Sequence, residues 1–152
     1  MRSKNSSGKQ DSYVNLVKGY LEKYGWTYEL IDQDMLVTGF SIDENVFTVF
    51  IRCSEEMVYF SIPNFASLVN DEFALMVYQY LLEANLYMQC GKFGLDENGK
   101  IGLFAEFPAS VVSYELFSFT LNSIGVNANN LIQKNTRISQ YIHFDQRSVE
   151  NK

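Results

Sequence analysis

The chain has 152 residues, a formal net charge of −6, and 47% hydrophobic residues of which aromatics form a large part, at 15% of the chain. That balance is long and apolar enough for one domain with a proper core, and it excludes a disordered chain. An acidic surface repels phosphate, and the lysines and arginines are scattered, so neither nucleic acid nor an anionic membrane is an expected partner.

Residues 1–10, MRSKNSSGKQ, are polar and carry no apolar run. They are read as a flexible tail without the hydrophobic core of a signal peptide. No window approaches the roughly 18–20 apolar residues of a membrane span. Asp11 or Ser12 is placed to cap a first helix over about 12–24. Tyr13, Val17, Tyr20 and Tyr24, with Val14 and Leu21 alongside, form one apolar stripe at helical period. Gly25 supplies a left-handed end to this helix and lets Trp26 fold back onto it.

A strand-rich block follows. Residues 26–31 are an extended lead-in, and strands are expected over 35–42, 46–53 and 57–62. Short polar turns at Asp43-Glu44-Asn45 and Ser54-Glu55-Glu56 join them, and Pro63-Asn64 stops the third. Runs rich in β-branched and aromatic residues between such turns make an antiparallel meander. One side of the middle strand carries Phe47, Val49, Ile51 and Cys53 and is wholly apolar. The other carries Val46, Thr48, Phe50 and Arg52. A solvated face shows a cleaner alternation than this, so the mixed face is expected to be partly covered by a helix, a partner or a ligand.

Asn70 or Asp71 starts a second helix, expected to run to about Gln89. Its polar stripe, Glu72, Gln79 and Glu83, is narrow and interrupted by Met76 and Leu86. A helix apolar nearly all round is buried on more than one side: one side is the sheet, and the other is a second subunit or the remaining helices. Asn85 lies opposite the polar stripe and is expected to be buried and hydrogen-bonded, because an unpartnered buried amide costs roughly 1–3 kcal/mol. Strands over 92–95 and 100–107 then form a hairpin about Asp96–Gly99, with Gly99 where φ is positive. After Pro108, Ser110 or Ser113 caps a last helix with Val112, Leu116, Phe119 and Leu121 on its apolar face. Gly125-Val126-Asn127 is read as a kink, and Leu131, Ile132, Ile138 and Ile142 as resumed helix. A single α+β domain over 11–145 results, followed by a polar tail over 146–152.

Chemistry has little to stand on. His143 is the one histidine, and its neighbours Ile142 and Phe144 are packing residues, so it is read as a surface or half-buried helix-end side chain. Neither a nucleophile elbow nor a zinc-binding H-E-x-x-H occurs. Cys53 and Cys90 are far apart without metal-ligand spacing, and are read as free thiols in a reducing cytoplasm. The acidic pairs Asp32/Asp34, Asp43/Glu44, Glu55/Glu56 and Asp96/Glu97 occupy turns. Successive turns of a meander alternate between its ends, so Asp43/Glu44 and Glu55/Glu56 do not converge; Asp32/Asp34 can share an end with Glu55/Glu56, giving at best a weak cation site, and nothing sets two carboxyl groups in different environments of one cleft as acid–base catalysis requires. No catalytic residue, metal or cofactor is expected.

The run Leu81-Leu82-Glu83-Ala84-Asn85, followed by Gly91-Lys92-Phe93-Gly94-Leu95-Asp96-Glu97-Asn98-Gly99-Lys100-Ile101, resembles the L-L-x-x-N…G-x-F-x-L-D-x-x-G-x-I signature of YbjN-like proteins. That family is related to the type III secretion chaperones, also called Tir-chaperone-like. The resemblance implies an α+β fold of order α-β-β-β-α-β-β-α, with a twisted antiparallel five-stranded sheet packed with helices. It also implies a homodimer without enzymatic activity.

The expected function is therefore a cytoplasmic, non-enzymatic, dimeric protein-binding module, chaperone-like or regulatory. A small-ligand sensor with an aromatic pocket is the alternative. Phe50, Tyr59 and Phe104 are the candidate partner-binding residues on the mixed face. Met76, Tyr80 and Tyr87 on the second helix are the candidate dimer residues, and Phe47 and Phe60 are expected in the core.

Overall fold

The structure, a computed structural model, describes residues 6–133 and 136–144. Three α-helices lie on one face of a seven-stranded, wholly antiparallel sheet, leaving the other face bare among the described residues. The helices are α1 (Ser6–Tyr24), α2 (Ala74–Asn85) and α3 (Tyr114–Gln133). The strands are β1 (Glu29–Asp32), β2 (Met35–Ile42), β3 (Asn45–Cys53), β4 (Met57–Leu68), β5 (Lys92–Leu95), β6 (Ile101–Pro108) and β7 (Ile142–Phe144). They pair in the order β1-β2-β3-β4-β6-β5, and β7 joins the far end of β4.

The alternation of β3 decides which face the helices take. Phe47, Val49, Ile51 and Cys53 are buried, as their position on the apolar side requires, and Phe60 joins them. Aromatic rings run across this inner face from Trp26 through Phe40, Phe47 and Phe65 to Phe144, each 5.0–5.8 Å from the next. Tilted pairs at this spacing add to the area they bury.

α1 begins at Ser6, ahead of the expected Asp11 or Ser12. It ends as expected: Gly25 has φ +88°, and the Gly25 and Trp26 amides donate to the Leu21 carbonyl at 2.9 and 3.0 Å. This left-handed cap returns the chain so that Trp26 meets Tyr24 edge to face at 5.4 Å.

Several expectations are corrected. The sheet has seven strands, not five. The lead-in becomes β1, because residues 29–32 pair with β2. Of the residues read as resumed helix, Leu131 and Ile132 lie in α3, but Ile138 falls in a turn and Ile142 in β7, where it is buried and the exposed His143 pairs with Ser67. An apolar residue every fourth position cannot by itself distinguish a helix from a turn followed by a short buried strand.

Pro63-Asn64 also bends β4 without stopping it. The register shifts between Ile62 and Ala66, and Asn64 takes φ +52°, a left-handed conformation that asparagine tolerates. The bulge keeps Phe65 and Ala66 in the core. Finally, α3 runs unbroken through Gly125, with Ser113 Oγ accepting from the Leu116 amide at 3.1 Å as its cap. The tail over 146–152 lies outside the described residues.

Asn70 starts the second helical segment as expected: its Oδ1 accepts from the Glu72 amide at 3.0 Å, and a 3-10 turn, Asp71–Phe73, leads into α2. α2 ends at Asn85 rather than Gln89. The half-buried Asn85 side chain pairs with the main chain of Phe93, donating from Nδ2 to the carbonyl at 3.0 Å and accepting at Oδ1 from the amide at 2.8 Å. A side-chain amide thus stands where a neighbouring strand would, and it closes part of the free edge of β5.

Candidate functional site

The bare face is built from the outward positions of each strand. β3 contributes Val46, Thr48, Phe50 and Arg52. The register places Val37 beside Phe50, Tyr59 beside Arg52, Phe104 beside Ser61 and Lys92 beside Phe104. All three partner-binding candidates therefore share one surface. Phe50 and Phe104 are half-buried, and Tyr59 is 40% exposed. They line an open trough of about 670 Å3, flanked by Arg52, Lys92 and Glu106. Lys92 pairs with Glu106 at 3.5 Å and Arg52 with Asp34 at 3.7 Å, both exposed pairs of small energetic weight.

Glycines shape this face. A Cβ on Gly102 would collide with the Phe104 ring, and one on Gly94 would come within 3.4 Å of it. The ring therefore lies flat across both glycines, which explains its half-burial without any covering helix. This use of small neighbours is legible in Gly94 and Gly102 only once the register is known.

The second surface is the outer side of α2. Leu75, Leu82 and Leu86, at i, i+7 and i+11, are 81, 68 and 80% exposed. Tyr87 is 86% exposed and Met76 40%, whereas Tyr80 is half-buried with the Arg137 guanidinium 5.4 Å from its ring centre. The sequence reading named Met76, Tyr80 and Tyr87 and missed Leu75 and Leu82. These share a helical face with the polar Gln79, and the signal for them was that i, i+7, i+11 spacing. Alongside, Glu83 accepts from Gln79 at 3.0 Å and from Arg137 at 2.8 Å. These hydrogen bonds, the first the larger influence, hold its carboxyl below the usual glutamate range.

The cysteines are free thiols. Cys53 is fully buried, and desolvation, with a smaller push from Asp34, raises its thiol to about 12. It is therefore no nucleophile at neutral pH. Cys90 is half-buried and donates weakly to Thr120 Oγ1 at 3.5 Å. Asp96 acts structurally: its Oδ1 accepts from the Asn98 and Lys100 amides at 2.8 and 2.9 Å, and its Oδ2 accepts from the Asn64 amide at 3.3 Å. Among the described residues, no group of three or more His, Cys, Asp and Glu is placed to hold a metal, and no helix is long and apolar enough to cross a membrane.

Solved structures share this fold. A chain of the HopA1–SchA chaperone–effector complex is 14% identical with a TM-score of 0.58, covering 80% of this chain and 93% of its own. YbjN from E. coli is 17% identical with a TM-score of 0.55, covering 77 and 89%. The type III secretion chaperone SycH of Yersinia pestis, solved with a fragment of YscM2, is 16% identical with a TM-score of 0.52, covering 76 and 96%. At these identities the likeness is one of fold. No curated protein sequence matches the chain. The YbjN family model, described as "Putative bacterial sensory transduction regulator", matches residues 13–132. The chain belongs to the YbjN family.

Proposed function

We propose that the protein is a cytoplasmic, non-enzymatic, dimeric module that binds another protein in a chaperone-like or regulatory role. The observation that carries this reading is the bare sheet face with Phe50, Tyr59 and Phe104 on it. Aromatic rings between charged rims make good anchors for a protein partner. Fold relatives solved in complex with protein partners support the reading, as does the lack of any convergent catalytic groups among the described residues. The exposed leucines of α2, flanked by Met76 and Tyr87, form an apolar stripe suited to a second copy.

Affinity capture from the native cell tests the binding surface. Phe50→Glu and Tyr59→Glu are expected to abolish capture while leaving circular dichroism unchanged, and capture that survives both changes overturns the assignment. Light scattering at tens of micromolar tests the dimer, and a monomer mass refutes it. A second reading, a small-ligand sensor, is favoured by the trough beside the same three aromatics. It predicts a ligand-dependent rise in melting temperature with no protein captured.

A further inference from the structure

One stripe of α3 carries Thr120, Ile124, Asn127 and Leu131, at i, i+4, i+7 and i+11. Thr120, Ile124 and Leu131 are buried, and Thr120 Oγ1 donates to the Leu116 carbonyl at 2.8 Å. Asn127 breaks the pattern. Its Nδ2 is buried and finds no hydrogen-bond partner among the described residues. Asn85, the amide at the end of α2, bonds the Phe93 main chain with both its groups. A buried donor left unpaired gives up its hydration with nothing in return, and native proteins keep few of them.

This amide stands in the wall of a cleft. α2 and α3 part here and leave an open space of about 270 Å3 over Phe93. Tyr80, Ala84 and Met88 line it on one side, Asn127 and Leu131 on the other. Gly91, at φ +118°, sets bare main chain beside the amide: a Cβ there would lie 3.7 Å from Nδ2. None of the described residues lining the cleft is charged. Arg137, over the Tyr80 ring, is held by Glu83 at 2.8 Å. Tyr80 and Ala84 lie roughly half a turn round α2 from Leu75 and Leu82, so a second copy docked on those leucines leaves the cleft open.

We infer that this cleft binds a small, neutral, planar aromatic molecule carrying a carbonyl oxygen. The carbonyl accepts from Asn127 Nδ2, the donor left without a partner. The ring system packs among Tyr80, Phe93 and Leu131, and Met88, unbranched and flexible, adapts to its outline. A cavity of roughly 150 Å3 accepts one benzene ring, so this larger space has room for two fused rings. The site lies on the helical side of the sheet, away from Phe50, Tyr59 and Phe104, and is separate from the protein-binding face: either can fail alone.

Coumarin, two fused rings with one carbonyl, is the probe. Indole, of similar size but without an acceptor, and coumarin-3-carboxylate, which adds a charge, are its controls. Methyl and aromatic NMR of the full chain is the readout. Coumarin is expected to shift the Met88 methyl and Tyr80 ring signals, and to bind roughly tenfold or more tighter than indole and tighter than its own carboxylate. Asn127→Leu keeps the volume and removes the donor. It is expected to bring coumarin down to the affinity of indole. It should also raise the melting temperature of the free protein by about 2–4 °C, since an unpaired buried donor is gone. Ala84→Leu fills the cleft and is expected to end binding of both probes with circular dichroism unchanged. Coumarin that binds no better than indole, or binds Asn127→Leu as well as wild type, overturns the inference. So do shifts at Tyr59 and Phe104 instead of Met88, which place the ligand on the sheet face. A Met88 signal that moves with protein concentration alone gives the cleft to a second copy and overturns it too.

Discussion

Asn85→Ala tests the link between the helix and the sheet edge most directly. The Asn85 side chain makes two good hydrogen bonds to the Phe93 main chain, at 2.8 and 3.0 Å, and Phe93 is 7% exposed. Truncation leaves an amide and a carbonyl without partners, each costing about 1–3 kcal/mol when fully desolvated. Asn85 itself is only half-buried, so water entering the gap brings the combined cost to the lower part of that range, about 2–3 kcal/mol. Alanine's better helix propensity returns about 0.5 kcal/mol at this terminal position. The net loss is about 2 kcal/mol, or roughly 4–8 °C in melting temperature for a chain of this size.

Urea denaturation measures the loss, and exchange at the Phe93 amide localises it. Asn122→Ala, an exposed asparagine on α3, is the control and should change stability by no more than about 0.5 kcal/mol. Asn85→Asp sharpens the argument. The carboxylate keeps the acceptor for the Phe93 amide but faces the carbonyl without a proton, so the neutral form is favoured and the folded pKa rises. Its stability is then highest below the unfolded aspartate value of about 3.9 and declines as pH rises through the folded value. If Asn85→Ala costs less than about 0.5 kcal/mol and leaves Phe93 exchange unchanged, the bridge is not holding β5 to α2.

Other predictions follow from single contacts. Cys90 should react with a disulfide reagent under native conditions, while Cys53, buried and with its thiol raised to about 12, should react only at the rate of global unfolding; rapid labelling of both would contradict the burial. Glu83 has a lowered pKa, so its contribution is present above the ordinary glutamate value and is lost as pH falls from there through the lower folded value. Urea titrations of wild type and Glu83→Gln should therefore converge in acid. Gly102→Val should displace the Phe104 ring and shift its NMR signals strongly while β5–β6 pairing persists; unchanged ring signals would show that the ring does not lie over Gly102. Leu82→Glu, on an exposed position, should shift the mass from dimer to monomer without loss of melting temperature.

The parts of the fold legible in the sequence were those set by local chemistry. Gly25 ended α1, Asp96 and Gly99 made the hairpin turn, and the odd positions of β3 pointed into the core. Asn85 could be placed as a bonded amide, because polarity opposite a polar stripe is a local contradiction that only a partner resolves. What escaped depends on distant pairing. β7 exists because the Ala66–Leu68 stretch of β4 leaves one side open, and no residue of 142–144 announces that. The continuation of β4 escaped for a related reason: a proline-asparagine pair ordinarily ends a strand, and only the burial of Phe65 shows why this one goes on. The site was legible as a set of aromatics on one face. The glycines that let Phe104 lie flat became meaningful only through the register.

One asymmetry connects the fold to the proposed binding. Edges invite pairing, and this sheet treats its edges unequally. At β5, the Asn85 amide occupies the Phe93 groups that another strand would use. At the end of β1, Leu30 and Ile31 are 47 and 52% exposed, but only four residues are extended, too few to offer a long template. Inside the sheet, Pro63 has no amide hydrogen to give opposite Thr48, and the β3–β4 ladder ends before it. Edges kept this brief admit a short matched segment and refuse the long in-register pairing that leads to aggregation. The aromatic face offers such a segment side-chain anchors at Phe50 and Tyr59. Backbone pairing alone is indifferent to sequence; the rings are what make the face selective.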